Sequence, residues 1–156
     1  MRSIQYSAVW LLLAVVSLHL AGCSSDDKWK AGRPPTYFTS GKVLLDGKPE
    51  AGVTVTFQPT DQEHGKPGFA VTDENGYFEV QTFDPRDGLT EGTHRVALKK
   101  AQLVDAAGKV VTEVTSDAPL KERHFVPERY NDFSTSQIEV QIKAEKNKLE
   151  PFQLKK

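Results

Sequence analysis

Val53-Thr54-Val55-Thr56-Phe57 alternates apolar and β-branched polar residues without a break, and the same period of two returns along most of the chain. Side chains of a strand point alternately to its two faces, so Val53, Val55 and Phe57 share one face and call for a partner layer to bury them. Gly41-Lys42-Val43-Leu44-Leu45 reads as a strand stopped by Asp46-Gly47, a strong two-residue turn pair. Phe69 to Asp73 and Tyr77 to Gln81 flank Glu74-Asn75-Gly76, a hairpin signal in which Asn-Gly supplies the positive φ angles. His94 to Lys99 alternates again, as does Gln137 to Lys143 with Ile138, Val140 and Ile142 facing inward. A last strand ends at Phe152 and Leu154.

No segment carries a convincing amphipathic helix pattern. About seven short strands separated by turn signals imply an all-β fold, an antiparallel transthyretin-like or Ig-like β-sandwich. Residues 101–136 fit this scheme least well. Asp105 to Lys109 reads as a turn, Val110 to Thr115 as a candidate strand, and Ser116 to Arg129 as a long connection with Pro119 and Pro127. Long loops on a sandwich are where binding specificity usually sits. Tyr130 is expected to anchor the loop that returns to the Ile138 strand, and Phe57, Tyr77 and Phe78 to lie in or near the core. Gly47, Gly52 and Gly76 mark tight turns or close approach of strands.

The N-terminal region is organised differently. Arg2 supplies a positive charge, and Ala8 to Leu20 is a mostly apolar run. As a helix this run spans about 20 Å, short of the hydrocarbon thickness of about 30 Å. It therefore reads as a signal peptide, residues 1–22, ending in the small residues Ala21 and Gly22. Leu20-Ala21-Gly22-Cys23 then resembles the bacterial lipobox, which implies that Cys23 is lipidated and becomes the mature N-terminus. The chain has a single cysteine, which in an exported protein has no internal disulfide partner, and lipidation accounts for it. Two or more acyl chains, at ~0.8 kcal/mol per buried CH2, hold such a protein on a membrane. Residues 23–37 are polar and charged and contain Pro34-Pro35, as a lipidated tether would be. Ser24 after the cysteine resembles the outer-membrane sorting preference of enteric bacteria. The expected location is the cell envelope, at the outer membrane or cell surface. The folded domain is expected over residues 38–156.

Three sequence stretches carry a resemblance to a known family. "GKVLLDGKPEAGVTVTFQP", "AVTDENGYFEVQT" and "EGTHRVALKK" resemble the carboxypeptidase regulatory-like domain, a transthyretin-like sandwich. "FVPERYNDFSTSQIEVQI" resembles the ending of a version abundant in small planctomycete lipoproteins. The resemblance covers roughly residues 38–144. It implies a fold rather than an activity, because these motifs are mostly structural in the family.

Composition narrows the function. Charged residues make up 26% and the formal net charge is −1, close to −2 once Arg2 is removed with the leader. No basic stripe marks a nucleic-acid partner. Serine nucleophile elbows, phosphate loops and dinucleotide glycine motifs are absent. The C-terminus, Phe152 to Lys156, lacks the Tyr-Arg-Gly-Ser ending of transthyretin-like hydroxyisourate hydrolases. His64, His94 and His124 do not have the His-x-x-Glu spacing of zinc carboxypeptidases. Asp84, Asp87 and Glu91 offer oxygens of the kind calcium takes, without the EF-hand order. No catalytic residue, cofactor or metal is assigned.

The expectation is a non-catalytic interaction or structural module, held on a membrane by its lipid, whose partner is an envelope protein or a polysaccharide. Protein interaction calls for an exposed sheet edge or apolar patch. Glycan binding calls for aromatics gathered on one loop edge, with Trp29, Tyr37, Phe125, Tyr130 and Phe133 as candidates. Hydrolysis calls for His64, His94 and His124 to converge with an Arg or Asp.

Overall fold

A computed structural model describes residues 30–113 and 119–156. Cys23, the leader of residues 1–22, most of the tether, Trp29 and the end of the Val110–Thr115 candidate strand lie outside the described residues. Pro34–Lys156 forms one compact unit. No helix among the described residues is long and apolar enough to cross a membrane.

The Pro34–Lys156 unit is all-β, a sandwich of two sheets. One sheet has four strands in the order β11-β8-β4-β5: Ile138–Ile142, Gly92–Lys99, Thr54–Pro59 and Gly68–Val71. Every pairing in it is antiparallel. The other sheet is built on β2, Thr39–Leu45. On one side β2 pairs antiparallel with β6, Tyr77–Glu79, and with β3, Lys48–Pro49. On its other side it pairs parallel with β12, Asn147–Lys148, and β13, Phe152–Leu154.

This departs from the all-antiparallel expectation. A strand returning from the far end of the chain lies beside the first long strand in the same direction, which alternation alone does not register. Two small ribbons complete the fold. β1, Thr36–Tyr37, pairs with β7, Leu89–Thr90. β9, Ala101–Val104, pairs with β10, Lys121–His124. Among the described residues the strand count is therefore thirteen, not about seven. Several of the additional strands have two residues, too short for periodicity to mark. β1 also draws into the sandwich residues that composition had placed in the tether.

The core forms where the two inward faces meet. Val53, Val55 and Phe57 are fully buried, as alternation requires. Phe57 from one sheet meets Phe78 and Phe152 from the other, with ring centroids 6.1 and 6.5 Å away. Phe78 and Phe152 stack at 5.9 Å. Rings at these separations in offset or tilted contact add to their area burial. Val126 and Tyr130, from the long connection, join the same cluster. Tyr130 does act as an anchor, and its hydroxyl accepts from the backbone N–H of Lys155 at 3.2 Å. The loop is thus fastened to the C-terminal strand rather than only to its neighbour β11.

The turns follow their chemistry with one amendment. Asp46 and Gly47 both have positive φ, 51° and 80°, as a two-residue hairpin turn of this type needs. In the β5–β6 hairpin only Gly76 of the Asn-Gly pair is left-handed, at 68°. Asp73 N–H donates to Tyr77 O and Gly76 N–H to Asp73 O, so the turn spans one residue more. The Asp73 carboxylate accepts from the N–H groups of Asn75 and Tyr77, at 2.9 and 2.8 Å. A glycine in the left-handed position after a tight turn is the usual build of the longer hairpin loop.

Residues 101–136, expected to be a loop excursion, hold short elements where described. Val110 makes a single bridge to Val104. A 3-10 turn, Glu128–Tyr130, leads to a short helical turn α1, Phe133–Ser136. Asp132 caps α1 by accepting from Ser134 N–H at 2.7 Å. The buried Ser136 hydroxyl donates to Val96 O at 2.5 Å and ties α1 onto β8.

Candidate functional site

The outward face of the four-stranded sheet is where the described side chains form a built depression. On β4, Thr54 and Thr56 point away from the core, and on β5 Phe69 and Val71 do the same. The register sets them in rows. Thr56 lies between Phe69 of β5 and Ala97 of β8, and Thr54 lies between Val71 and Lys99. Beyond β8 the partner strand β11 reaches only as far as Val96. The place it would have taken beside Ala97 is filled by α1 and the residues before it. Ala97 is consequently buried although it sits on the outward face.

The result is a groove of about 340 Å³ with Thr54, Thr56 and Ala97 as its floor and Asn131 and Phe133 as its wall. Gly52, Lys100 and Ala101 close its end. Phe69 and Val71 continue the surface on the far side, with 46% and 57% of their area exposed.

The charges around the groove are matched. Lys99 Nζ is 3.2 Å from Glu122 and Lys100 Nζ is 2.5 Å from Glu50. Asn131 donates from Nδ2 to His124 Nδ1 at 3.3 Å. Its Oδ1 is buried with no hydrogen-bond partner, an arrangement that normally costs free energy and is uncommon in folded proteins.

Among the described residues, no ring-to-ring contact joins the aromatic candidates Tyr37, Phe125, Tyr130 and Phe133; the ring pairs are Phe57, Phe78 and Phe152 of the core. Tyr37 lies in β1. Phe125 is covered by Lys100 and Arg123, which sit 5.4 and 5.2 Å from its centroid. Tyr130 packs against the core under Arg129. Phe133 enters the groove. Phe69 was not singled out by its sequence. The signal was there in parity: Asp73 must face solvent, and Phe69 and Val71 share its face.

The histidines do not converge. His64 lies in an exposed loop, its Nδ1 2.9 Å from the Asp61 carboxylate, whose pKa is lowered chiefly by that hydrogen bond. His94 is fully buried in β8 with Nε2 2.9 Å from Thr90 O. His124 is on β10 opposite Ala101, about 20 Å from His94 along the strand direction. Among the described residues no three His, Cys, Asp or Glu side chains are grouped to hold a metal ion. The Asp87 carboxylate is occupied by the backbone N–H groups of Thr82, Phe83 and Asp84, at 2.7, 2.9 and 3.1 Å. It shapes its own loop.

Further depressions exist among the described residues, a small one of about 220 Å³ lying beside Gln58, Gln62 and Pro67 and two others. One, of about 270 Å³, lies beside Pro34, Pro59 and His64 where the chain enters the domain. The other, of about 530 Å³, lies on the outer side of the β2 sheet between Tyr77 and the Lys148–Pro151 segment.

Comparison with known proteins gives little. No family model matches the chain, and no curated protein does. Among solved structures, a 9R-lipoxygenase from Cyanothece is similar at a TM-score of 0.38 and 16% identity, over 77% of this chain. The chain spans 16% of the lipoxygenase. A Pseudomonas aeruginosa protein, provisionally described as carbohydrate-binding, is similar at a TM-score of 0.38 and 14% identity. That match covers 80% of this chain and 90% of the other. At these scores neither likeness bears on function.

Proposed function

We propose that this chain is a lipid-anchored envelope protein that presents a non-catalytic binding module, with the outward face of the four-stranded sheet as its contact surface. The observation that carries this reading is the pair Phe69 and Val71, exposed side by side on that face and continuous with the groove. The LAGC stretch at residues 20–23 supports lipidation, and the resemblance to regulatory-like sandwiches supports a role in contact rather than catalysis.

The test places a photoreactive amino acid at position 71, and in a second strain at exposed Glu145 on the other end of the domain, and irradiates intact cells. A recurrent adduct from position 71 but not from 145 is expected. No adduct at 71, or the same adducts from both, overturns the contact surface. In the same cells the mature protein should be heavier than residues 23–156 by its acyl groups, and Cys23→Ser should abolish both that mass and membrane retention.

A further inference from the structure

The groove has a chemical character that narrows its ligand. Its floor is small and hydroxylated, Thr54 and Thr56 with Ala97, and one wall presents an aromatic ring, Phe133. In the row that runs through Thr56 and Ala97, a second ring, Phe69, stands on the opposite side. β5 and β8 are two strand spacings apart, about 10 Å, so the two rings bracket a shallow trough that runs across the strands. We infer that this trough binds a neutral oligosaccharide lying across β5, β4 and β8, with sugar C–H faces against Phe69 and Phe133 and sugar hydroxyls on Thr54, Thr56 and Asn131. The inference rests on the binding-module reading above.

Other ligand classes fit less well. A peptide adding itself as a strand needs a free sheet edge. The β5 edge is closed at Phe69, whose N–H donates to Gln81 O and whose carbonyl accepts from Gln81 N–H. The groove floor is a sheet face whose backbone groups are already paired, so recognition there passes through side chains. An anionic chain or phosphate would seek unmatched cations. Lys99 and Lys100 are each held by a carboxylate, Glu122 and Glu50. An acyl chain would want a continuous apolar lining, and the floor has two hydroxyls. A polyhydroxylated ring with one apolar face uses each feature present: aromatic ring, hydroxyls, amide and balanced charge.

Affinity electrophoresis of the full mature chain through gels containing dextran, mannan, xyloglucan or alginate tests this. Retardation by at least one of the three neutral polymers is expected, unchanged between ~0.1 M and ~1 M salt because no net charge is involved. Phe69→Ala and Phe133→Leu should each weaken it by about tenfold, and Thr56→Val by less. Phe69 is nearly half exposed, so Phe69→Ala keeps the fold, and circular dichroism verifies that for each variant. Retardation by alginate alone, lost at high salt, overturns the neutral-ligand inference. So does the absence of retardation in all four gels, and so does neutral-polymer binding that survives both aromatic substitutions. If photocrosslinking at position 71 captures a protein while no polymer retards the chain, the glycan inference fails and the binding-module reading stands. If both assays are blank, both fail.

Discussion

Replacing His94 with glutamine should remove an acid sensitivity that the wild-type fold carries. The imidazole is fully buried on the core face of β8. Thr90 O can only accept, so Nε2, 2.9 Å away, must hold the proton of the neutral ring. Nδ1 is then the bare nitrogen, and it has no partner. Protonation would put a charge there with nothing to receive the hydrogen bond. Burial therefore pushes the His94 pKa below its ordinary 6.5, and the bond to Thr90 only partly offsets that. The sign follows. Above pH 6.5 the ring is neutral in folded and unfolded chains alike and contributes no pH dependence. As pH falls below 6.5 the unfolded chain takes up a proton that the folded chain refuses, so stability drops until the folded ring titrates too. One proton limits the slope to about 1.36 kcal/mol per pH unit. At pH 5.5 the loss is at most about 1.4 kcal/mol. Urea unfolding of the mature chain bearing Cys23→Ser, with and without His94→Gln, from pH 7.5 down to ~pH 5 measures it. Glutamine keeps a donor for Thr90 O and does not titrate, and every other ionisable group is shared by the two proteins. Wild type should lose stability relative to the variant below pH 6.5. A difference that stays constant over the whole range, or that grows in favour of wild type on acidification, would refute the buried-neutral assignment.

Two other substitutions probe how the ends of the fold are held. Gly88 has a φ of +91°, and a Cβ there would meet Tyr37 O at 1.8 Å, so Gly88→Ala should force β1 off β7 at a cost of about 2 kcal/mol or more. Its urea midpoint and the exchange of the Thr90 amide report this, and a cost below about 0.5 kcal/mol would contradict the close approach. Ser136→Ala removes the hydroxyl that binds Val96 O and should cost about 1 kcal/mol. It should also raise hydrogen exchange in α1 and weaken any ligand held by Phe133, and unaltered α1 protection would show that the tie is dispensable.

How much of this could be read from the chain varies with the length of the signal. Val53 to Phe57 and Ile138 to Ile142 are long enough for alternation to assign both strand and inward face. The ribbon of β9 and β10 escaped because Ala101-Gln102-Leu103-Val104 and Lys121-Glu122-Arg123-His124 do not alternate. They are strands because they pair with each other, not because a core demands it. The groove was half visible. Phe133 was a candidate from its place in a long loop, but its wall position depends on β11 stopping at Val96, a tertiary fact with no local signature. Phe69 lies within a strand, and an aromatic in a strand is ordinarily core, so its exposure has no signal of its own in residue type. Here its alternation partner Ala70 is the buried one.

The pairing of β2 with β13 sets a condition on when this domain can come into being. Val43 and Phe152 are register partners although more than a hundred residues separate them. The long strand that organises one whole sheet therefore waits, with one edge empty and Val43 and Leu45 unshielded, for Phe152–Leu154. A polypeptide delivered N-terminus first, from a ribosome or through a membrane channel, cannot finish this sheet early, and such long-range closure is slow. For the export proposed above, the delay is protective: this sheet stays open until Phe152–Leu154 have arrived, and closes on them.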